Sequence, residues 1–266
     1  MKYFSYLVEL RIGALLACLV LIAGKSSSAV AQTSTGTQDW EFGGEVYLFG
    51  ASIGGNSVNG GDIDIPFHEL LDDLDMAFMG ALGARRGKLT LAMDMIYLNV
   101  EERNDKKISL PVSPDIGITG DTDVKLKGFV GTPTVRYALL DGDRGRMNIL
   151  GGARYLWLDA SISVSVSGER RSIGAKISDS GSVWDGIVGI EGEYNLSPRW
   201  YLSFYLDGGA GESDSTWQSF AGAGYRCNTL DFVFGYRYMD WDFDGEHRVF
   251  NDLDLGGPIA GIKFSF

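Results

Sequence analysis

The stretch Gly256-Gly-Pro-Ile-Ala-Gly-Ile-Lys-Phe-Ser-Phe266 at the end of the chain decides the fold. Alternate side chains of a β-strand point to opposite faces. In this stretch one parity is apolar, and the other is mostly small or polar and carries a lysine. The apolar positions are Pro258, Ala260, Ile262, Phe264 and Phe266, and the opposite positions are Gly257, Ile259, Gly261, Lys263 and Ser265. The pattern predicts a strand that separates an apolar environment from a polar one.

An export signal begins the chain. Lys2 and Arg11 supply positive charge, and residues 12–24 form an apolar run. This run is shorter than the ~20 residues that a membrane-spanning helix needs. The stretch that follows ends in Ala29-Val-Ala31, which fits a cleavage site of small residues. We therefore expect a signal peptide at residues 1–31 and a short segment at 32–39 ahead of the first strand.

The mature chain is strongly acidic. Cleavage removes 31 of 266 residues, and with them Lys2, Arg11, Lys25 and Glu9, so that 23 basic and 35 acidic residues become 20 and 34 in a chain of 235. The net charge is then −14. This charge disfavours nucleic acid, because phosphate contacts need a basic surface, and we expect no nucleic acid as a partner. Cys227 is the one cysteine left, so no intramolecular disulfide bond can form.

Alternation between apolar and polar residues recurs along the rest of the chain. Ten segments show it, separated by turn signals such as Arg86-Gly-Lys88. They are residues 41–53, 75–86, 89–100, 123–139, 146–166, 174–194, 200–210, 216–227, 231–240 and 256–266. Eight strands are the alternative if two segments are misassigned. The apolar parity changes within the fifth segment, which predicts a β-bulge near Leu158 and Asp159.

Short and long connections alternate between the segments. Short turns follow the second, fourth, sixth and eighth segments. Long connections follow the first, third and ninth, and moderate ones follow the fifth and seventh. The first long connection contains Pro66-Phe-His-Glu-Leu-Leu-Asp-Asp-Leu74, whose apolar spacing predicts a short amphipathic helix at 66–74. We expect that helix to pack its apolar face against its own protein.

The chain resembles bacterial outer-membrane β-barrel proteins over nearly all of its mature length. The resemblance rests on the export signal, the alternating segments, the patterns Gly152-Ala-Arg-Tyr155 and Gly235-Tyr-Arg-Tyr238, and the final Phe266. It implies an all-β fold, an antiparallel transmembrane β-barrel over residues 40–266. It also implies the outer membrane of a Gram-negative bacterium, contact with lipid and lipopolysaccharide, and recognition of Phe264 and Phe266 by the barrel-assembly machinery.

The inward parity of this barrel collects charges of both signs. Because buried charges must be paired, we expect an ion-pair network that closes a narrow lumen. Its members would be Glu45, Arg85, Asp94, Arg136, Arg154, Asp185, Glu191, Glu193, Asp207, Arg226, Arg237 and Lys263. A narrow hydrated pore is the alternative. A continuous stripe of one charge would favour conduction, and the sequence contains no such stripe.

One motif suggests a metal ion. Asp240, Asp242 and Asp244 lie in Asp-Trp-Asp-Phe-Asp-Gly, which matches the first half of a calcium-binding loop. Such a loop needs an acidic residue at its twelfth position, where this chain has Asn251. The three aspartates are therefore a weak candidate, and we expect neither a metal nor a cofactor.

Catalysis has little support in the sequence. The two histidines, His68 and His247, lie in connections between predicted strands, and we find no catalytic motif around them. The sequence therefore predicts an outer-membrane barrel with a largely occluded, charge-paired lumen and acidic outer loops, in a structural or surface-interaction role. A narrow pore for small solutes is the alternative, and an outer-membrane enzyme is less favoured.

Overall fold

The structure is a computed structural model that describes residues 39–57, 62–65, 74–101, 120–168, 171–243 and 250–265. Its regular elements in these ranges are all β-strands. They are β1 (Glu41–Phe49), β2 (Ser52–Ser57), β3 (Asp62–Ile65), β4 (Leu74–Arg86), β5 (Leu89–Glu101), β6 (Gly120–Gly142), β7 (Gly145–Gly168), β8 (Arg171–Asn195), β9 (Trp200–Gly211), β10 (Ser215–Cys227), β11 (Leu230–Asp242) and β12 (Phe250–Ser265). Within the described ranges, no helix is long and apolar enough to cross a membrane. The predicted signal peptide and nearly all of the predicted helix, residues 66–73, fall outside them.

Ten of the strands close into a ring. Hydrogen bonding runs from β1 to β4, then in chain order to β12, and from β12 back to β1. Neighbouring strands in the ring are antiparallel. In the closing pair Glu45 lies opposite Lys263, and Val46 lies opposite Ile262. The predicted antiparallel barrel of ten strands is confirmed, and the alternative of eight is wrong.

The other two strands form a hairpin beside β12. After Gly50 and Ala51, β2 continues along β12 in the same register as β1, so that Phe49 lies opposite Ile259 and Ser52 opposite Gly256. β3 pairs with β2 and is the edge strand of the described sheet. The first predicted segment, 41–53, is thus divided into two strands, and an additional strand follows it.

Four short turns lie at one end of the barrel, together with the start of β1 and the end of β12. They join β4 to β5, β6 to β7, β8 to β9, and β10 to β11. Gly87 has a φ of 62° and Asn228 a φ of 56°, a left-handed conformation that glycine and asparagine tolerate best. We call this end the turn end, and we call the opposite end the loop end.

Strands β6, β7 and β8 are the longest in the barrel. They contain 23, 24 and 25 residues, whereas a strand needs only ~9–11 residues to cross a membrane. At the loop end these three strands therefore extend past the other strands of the ring. The connections after β7 and β9, predicted to be of moderate length, are short: residues 169–170 and 212–214.

The predicted bulge in the fifth segment is wrong. The register between β7 and β8 is unbroken along both strands, through Leu158 and Asp159. The irregularity lies instead in β6, between Ala138 and Leu140. The apolar parity changes because β7 continues beyond Trp157, past the outward aromatic belt. Outward positions there no longer need to be apolar.

The outward face is an apolar belt bordered by aromatic side chains. Val188 on β8 is 71% exposed, and Leu48 on β1 is 74% exposed. Pairs of aromatic rings border the belt at both ends. Near the turn end, the ring centroids of Trp200 and Tyr225 are 5.0 Å apart. Near the loop end, those of Tyr155 and Trp184 are 4.7 Å apart and those of Trp217 and Tyr238 are 5.0 Å apart. Trp217 and Tyr225 lie about 27 Å apart along β10. This spacing suits the apolar band of about 25 Å that outer-membrane barrels present to lipid.

Candidate functional site

A chain of hydrogen bonds crosses the lumen from wall to wall. We call it the lumen bar. It consists of Tyr47, Asp94, Arg154, Asp207, Gln218 and Arg237. These side chains come from β1, β5, β7, β9, β10 and β11, each from the inward parity of its strand. The charges of its two arginines and two aspartates cancel.

Arg154 forms one half of the lumen bar. Its guanidinium is 2.6 Å from the carboxylate of Asp207, and neither side chain is exposed to solvent. Arg154 also donates hydrogen bonds to Thr216 Oγ1 at 2.8 Å and to Gln218 Oε1 at 3.0 Å. The hydroxyl of Tyr205 donates to Asp207 at 2.6 Å. A buried ion pair is tolerated when further hydrogen bonds satisfy its remaining polar atoms. Most of the polar atoms of Arg154 and Asp207 have such a hydrogen bond.

Arg237 forms the other half. Its Nη2 is 2.5 Å from the carboxylate of Asp94, and its Nη1 donates to the Tyr47 hydroxyl at 2.9 Å. Tyr47 in turn donates to Asp94 at 2.6 Å. Gln218 Oε1 accepts from Arg237 at 3.1 Å and from Arg154 at 3.0 Å. A single amide oxygen therefore joins the two halves.

The inward face between the lumen bar and the loop end is apolar. We call this region the apolar layer. Its buried members are Phe49, Ile53, Ile96, Val100, Val130, Leu156, Val183, Met239, Trp241, Phe243 and Leu253. Met239 and Trp241 have no exposed surface, and the guanidinium of Arg154 lies 5.7 Å from the Trp241 ring centroid. The bar and the apolar layer are thus in contact. The sequence pattern predicts a lumen filled by paired charges and does not predict this layer.

On the turn-end side of the bar the lumen is a cavity of about 580 Å³. We call it the vestibule. Its walls run from Tyr47 and Arg237 in the bar to Asn228 and Ser265 at the turn end. The volume falls in the range of small-molecule sites.

Ion pairs line the vestibule. Arg136 is 2.6 Å from Glu191. Glu193 is 2.5 Å from Lys263 and 3.7 Å from Arg226. Each basic group therefore faces a carboxylate, and charge of neither sign accumulates along the wall.

A more exposed pair lies beside the turns. Arg85 donates a hydrogen bond to Asp141, and Arg146 lies 3.5 Å from the same carboxylate. The hydrogen bond from Arg85 lowers the pKa of Asp141 below its usual value. Because solvent screens such pairs, they contribute little to stability.

The twelve charged residues predicted for the lumen lie in the lumen bar, in the vestibule and beside the turns, except for Asp185. Ten of them take part in ion pairs, namely Arg85, Asp94, Arg136, Arg154, Glu191, Glu193, Asp207, Arg226, Arg237 and Lys263. Glu45 lines the vestibule opposite Lys263 in the register. Asp185 is 1% exposed and accepts a hydrogen bond from the Ser213 amide at 2.9 Å. Its second oxygen has no hydrogen-bond partner among the described residues.

Sequence reasoning missed the uncharged members of the bar. Tyr47 has the inward parity of Glu45, and Gln218 has the inward parity of Arg226, so parity alone could have found both. The sequence does not indicate which charged side chains pair with each other across the lumen. The residue opposite Arg154 in the register is Asp185, yet Arg154 binds Asp207 two strands away.

The candidate calcium motif is only partly described. Asp240 and Asp242 belong to β11, where they lie opposite Asp254 and Asp252 of β12 in a regular ladder rather than in a loop. Asp244, His68, His247 and Phe266 lie outside the described residues. Among the described residues, no three or more His, Cys, Asp or Glu side chains are grouped so that they could hold a metal ion.

Phe264, the described half of the proposed assembly signal, lies near the turn end of β12. It is opposite Gly44 of β1 and Leu230 of β11. A Cβ added at Gly44 would come within 2.8 Å of the Phe264 ring. The ring therefore covers the glycine at the point where the barrel closes.

By sequence the chain matches no protein-family model and no curated protein. Among solved structures it is similar to the outer membrane protease OmpT of Escherichia coli, with a TM-score of 0.50, 8% identity, and coverage of 90% of this chain and 100% of that one. It is also similar to the translocator domain of the autotransporter NalP of Neisseria meningitidis, with a TM-score of 0.44, 12% identity and 98% coverage of both chains. The attachment invasion locus protein Ail of Yersinia pestis gives a TM-score of 0.33, 11% identity, and coverage of 86% of this chain and 99% of that one. This chain has the fold of bacterial outer-membrane β-barrel proteins.

Proposed function

We propose that this chain is an integral outer-membrane barrel of a Gram-negative bacterium with a closed lumen, in a structural or surface-interaction role. The observation that carries the proposal is the lumen bar stacked on the apolar layer. A solute that entered the vestibule would first have to break the buried, hydrogen-bonded ion pairs of the lumen bar. It would then have to cross a packed hydrocarbon region, which opposes the passage of water and ions.

The orientation follows from the placement of the turns. Outer-membrane barrels have short periplasmic turns and longer external loops. The turn end, with Phe264, would face the periplasm and the barrel-assembly machinery. The loop end would face outward, with Asp240, Asp242, Asp252 and Asp254 close to the lipopolysaccharide. Their negative charge would attract the divalent cations that gather there.

A narrow pore is the second candidate. The vestibule favours it, because its 580 Å³ reach the turn end and supply half of a pathway. Conduction would require the bar and the apolar layer to move together. An enzymatic role has no support from the arrangement of the described residues.

Labelling of Cys227 tests the location and the orientation. This residue is exposed at the turn end. A maleimide that cannot cross the outer membrane should leave it unmodified in intact cells and modify it after the outer membrane is permeabilised. In the control, Cys227→Ser with Asp214→Cys, the label should react in intact cells, because Asp214 lies at the loop end. Modification of Cys227 in intact cells would contradict the orientation.

Solute flux tests the closed lumen against the narrow pore. Liposomes that contain the refolded mature protein should swell in small sugars no faster than protein-free liposomes. Liposomes with a general porin should swell at once and serve as the control. Swelling above the protein-free rate would favour the pore.

A further inference from the structure

Strand β8 has an open edge at the loop end. Its pairing with β7 begins at Arg171, the first residue of the strand, but its pairing with β9 begins only at Asp185, which lies opposite Gly211. Residues 171–183 therefore have a strand on one side and no partner strand on the other side in the described part of the chain. We call this stretch the β8 edge.

The connection beside the β8 edge is short and stops at its membrane-proximal end. It consists of residues 212–214, which join β9 to β10. The amide of Glu212 donates to the carbonyl oxygen of Trp184 at 3.0 Å, and the amide of Trp184 donates to the Glu212 carboxylate at 2.8 Å. The backbone groups of Trp184 thus point away from β7. Because the direction of these groups alternates along a strand, the even-numbered residues of the β8 edge also point theirs toward the open side.

An open edge of this length is a template for another strand. Proteins commonly block such edges with proline, with charged residues or with a covering segment. The β8 edge contains no proline, and Lys176 is its one charged residue on the parity of Trp184. The edge therefore retains the features of a strand that accepts an extended partner through its main chain.

The sequence of the edge is complementary to itself. It reads Arg171-Ser-Ile-Gly-Ala-Lys-Ile-Ser-Asp179. When a second copy of this strand is placed antiparallel to the first, with Ala175 opposite Ala175, Arg171 lies opposite Asp179. In the same register Ile173 lies opposite Ile177. Opposite charges at directly opposed positions stabilise antiparallel strands, and opposed isoleucines remove apolar surface from water.

This register also uses the open backbone groups. The even-numbered residues form its hydrogen-bonded pairs, in which Ser172 lies opposite Ser178 and Gly174 lies opposite Lys176. Each such pair exchanges two hydrogen bonds. The odd-numbered residues form the other pairs, whose Cα atoms are closer, about 4.5 Å apart. The charged and the apolar residues thus lie at the positions where residues on opposite strands approach most closely.

Antiparallel pairing of two β8 edges determines how the two barrels are oriented. β8 runs from Arg171 at the loop end to Asn195 at the turn end. Two copies in one membrane point their loop ends the same way, so their β8 strands cannot run antiparallel, even with a strand tilt of about 35–45°. A copy in a facing membrane is inverted and can. Ala175 lies about 30 Å along β8 beyond Trp184, so the pairing would occur outside the head groups.

We propose that the β8 edge is a contact between cells, and that its partner is the β8 edge of a second copy of this protein in the outer membrane of a facing cell. The contact is a two-fold one, in which both copies present the same surface. It specifies the surface-interaction role of the proposed function, and it rests on the proposed location and orientation.

Disulfide formation by the refolded mature protein in detergent tests the register. Ala175→Cys in a Cys227→Ser background should give a disulfide-linked dimer on mild oxidation, because its two thiols face each other across the two-fold axis. Ser178→Cys in the same background is the matched control. Its two thiols would lie six residues apart along the strands, about 20 Å, which is too far for a disulfide. No dimer from Ala175→Cys, or equal dimer from both variants, would overturn the register.

Exchange of the charges tests the contact between cells. Cells of a Gram-negative host with truncated lipopolysaccharide should clump when they produce the native protein. Cells with Arg171→Asp alone, or with Asp179→Arg alone, should settle no faster than cells without the protein, because like charges would then lie opposite each other. A mixture of these two kinds of cell should clump again, because opposite charges then lie opposite each other at both positions. Two fluorescent markers show whether each clump contains both kinds of cell.

A label separates this inference from the proposed function. Ser178→Cys, with Cys227→Ser and with Arg171→Asp to keep the cells dispersed, should react in intact cells with a maleimide that cannot cross the outer membrane. Modification of this variant, together with a mixture that does not clump, would overturn the contact and leave the orientation intact. Clumping of either charge variant alone would overturn it as well. Absence of modification would refute the orientation, and the contact with it.

Discussion

At the scale of single residues, Arg154 illustrates how the lumen is closed. It bypasses Asp185, which lies opposite it in the register, and extends to Asp207. Beside Asp207 the guanidinium also donates hydrogen bonds to Thr216 and Gln218, so three side chains accept from it. A buried guanidinium needs several acceptors. The number of acceptors, rather than the shortest register distance, explains the pairing.

Breaking this pair should destabilise the barrel strongly. Arg154→Met leaves the Asp207 carboxylate buried without its cation, a change that costs about 3–5 kcal/mol. The double variant Arg154→Met with Asp207→Leu removes both charges and should recover most of that loss. Urea unfolding in lipid vesicles measures both.

The exposed pair at the turns is the control for this prediction. Arg85→Met removes the partner of Asp141 near solvent and should cost about 0–1 kcal/mol. An equal loss in Arg85→Met and Arg154→Met would show that burial does not govern the lumen pairs.

Gly224 is a second residue whose size matters. The Tyr201 ring is 1% exposed and lies directly over it, so an added Cβ would come within 2.1 Å of the ring. Arg226 covers the other part of that ring at 4.4 Å. Gly224→Ala should therefore lower the free energy of unfolding by about 1–3 kcal/mol, as overpacking does. Gly181→Ala, with open space around its Cβ position, should change it little, and equal effects would refute this packing argument.

At the scale of elements, each strand has two faces with different demands. The sequence pattern predicts these faces well, because side chains alternate strictly along a strand. The pattern predicts poorly where along each strand the lipid-facing belt begins and ends. In β7 the change of parity, which predicts a bulge, instead marks where the strand leaves the apolar belt. From β1 into β2 the alternation runs on through Gly50 and Ala51, and the register with β12 is the same on both sides of them.

The belt itself can be tested on one strand. Val188 lies on the outward face of β8 between Tyr194 and Trp184, near the middle of the belt. Val188→Arg should destabilise the barrel by about 2–4 kcal/mol in lipid vesicles, as a charge at the bilayer midplane does. Leu196→Arg, in the turn that follows β8, should cost about 0–1 kcal/mol because it lies near the interface. Equal effects of the two would argue against a lipid belt around β8.

At the scale of the whole molecule, the sequence was sufficient for the class of fold. The strand count followed from the alternating segments, and the ring confirms it. The division of the lumen into the vestibule, the lumen bar and the apolar layer could not be predicted from the sequence. Whether inward positions such as Trp241 and Met239 meet other apolar groups depends on which strands face one another across the barrel, and that is a long-range property. The point at which the pairing of β1 with β4 ends, Val46 opposite Gly80, depends on the same non-local geometry.

The single-channel conductance of the refolded mature protein in planar lipid bilayers tests whether the lumen is closed. The bar and the apolar layer block the path from the vestibule to the loop end, so we expect a bilayer with inserted protein and no steady unitary current. Heat-modifiable migration of the same sample on a detergent gel would show that the protein is folded. Reproducible unitary currents from that folded protein would contradict a closed lumen.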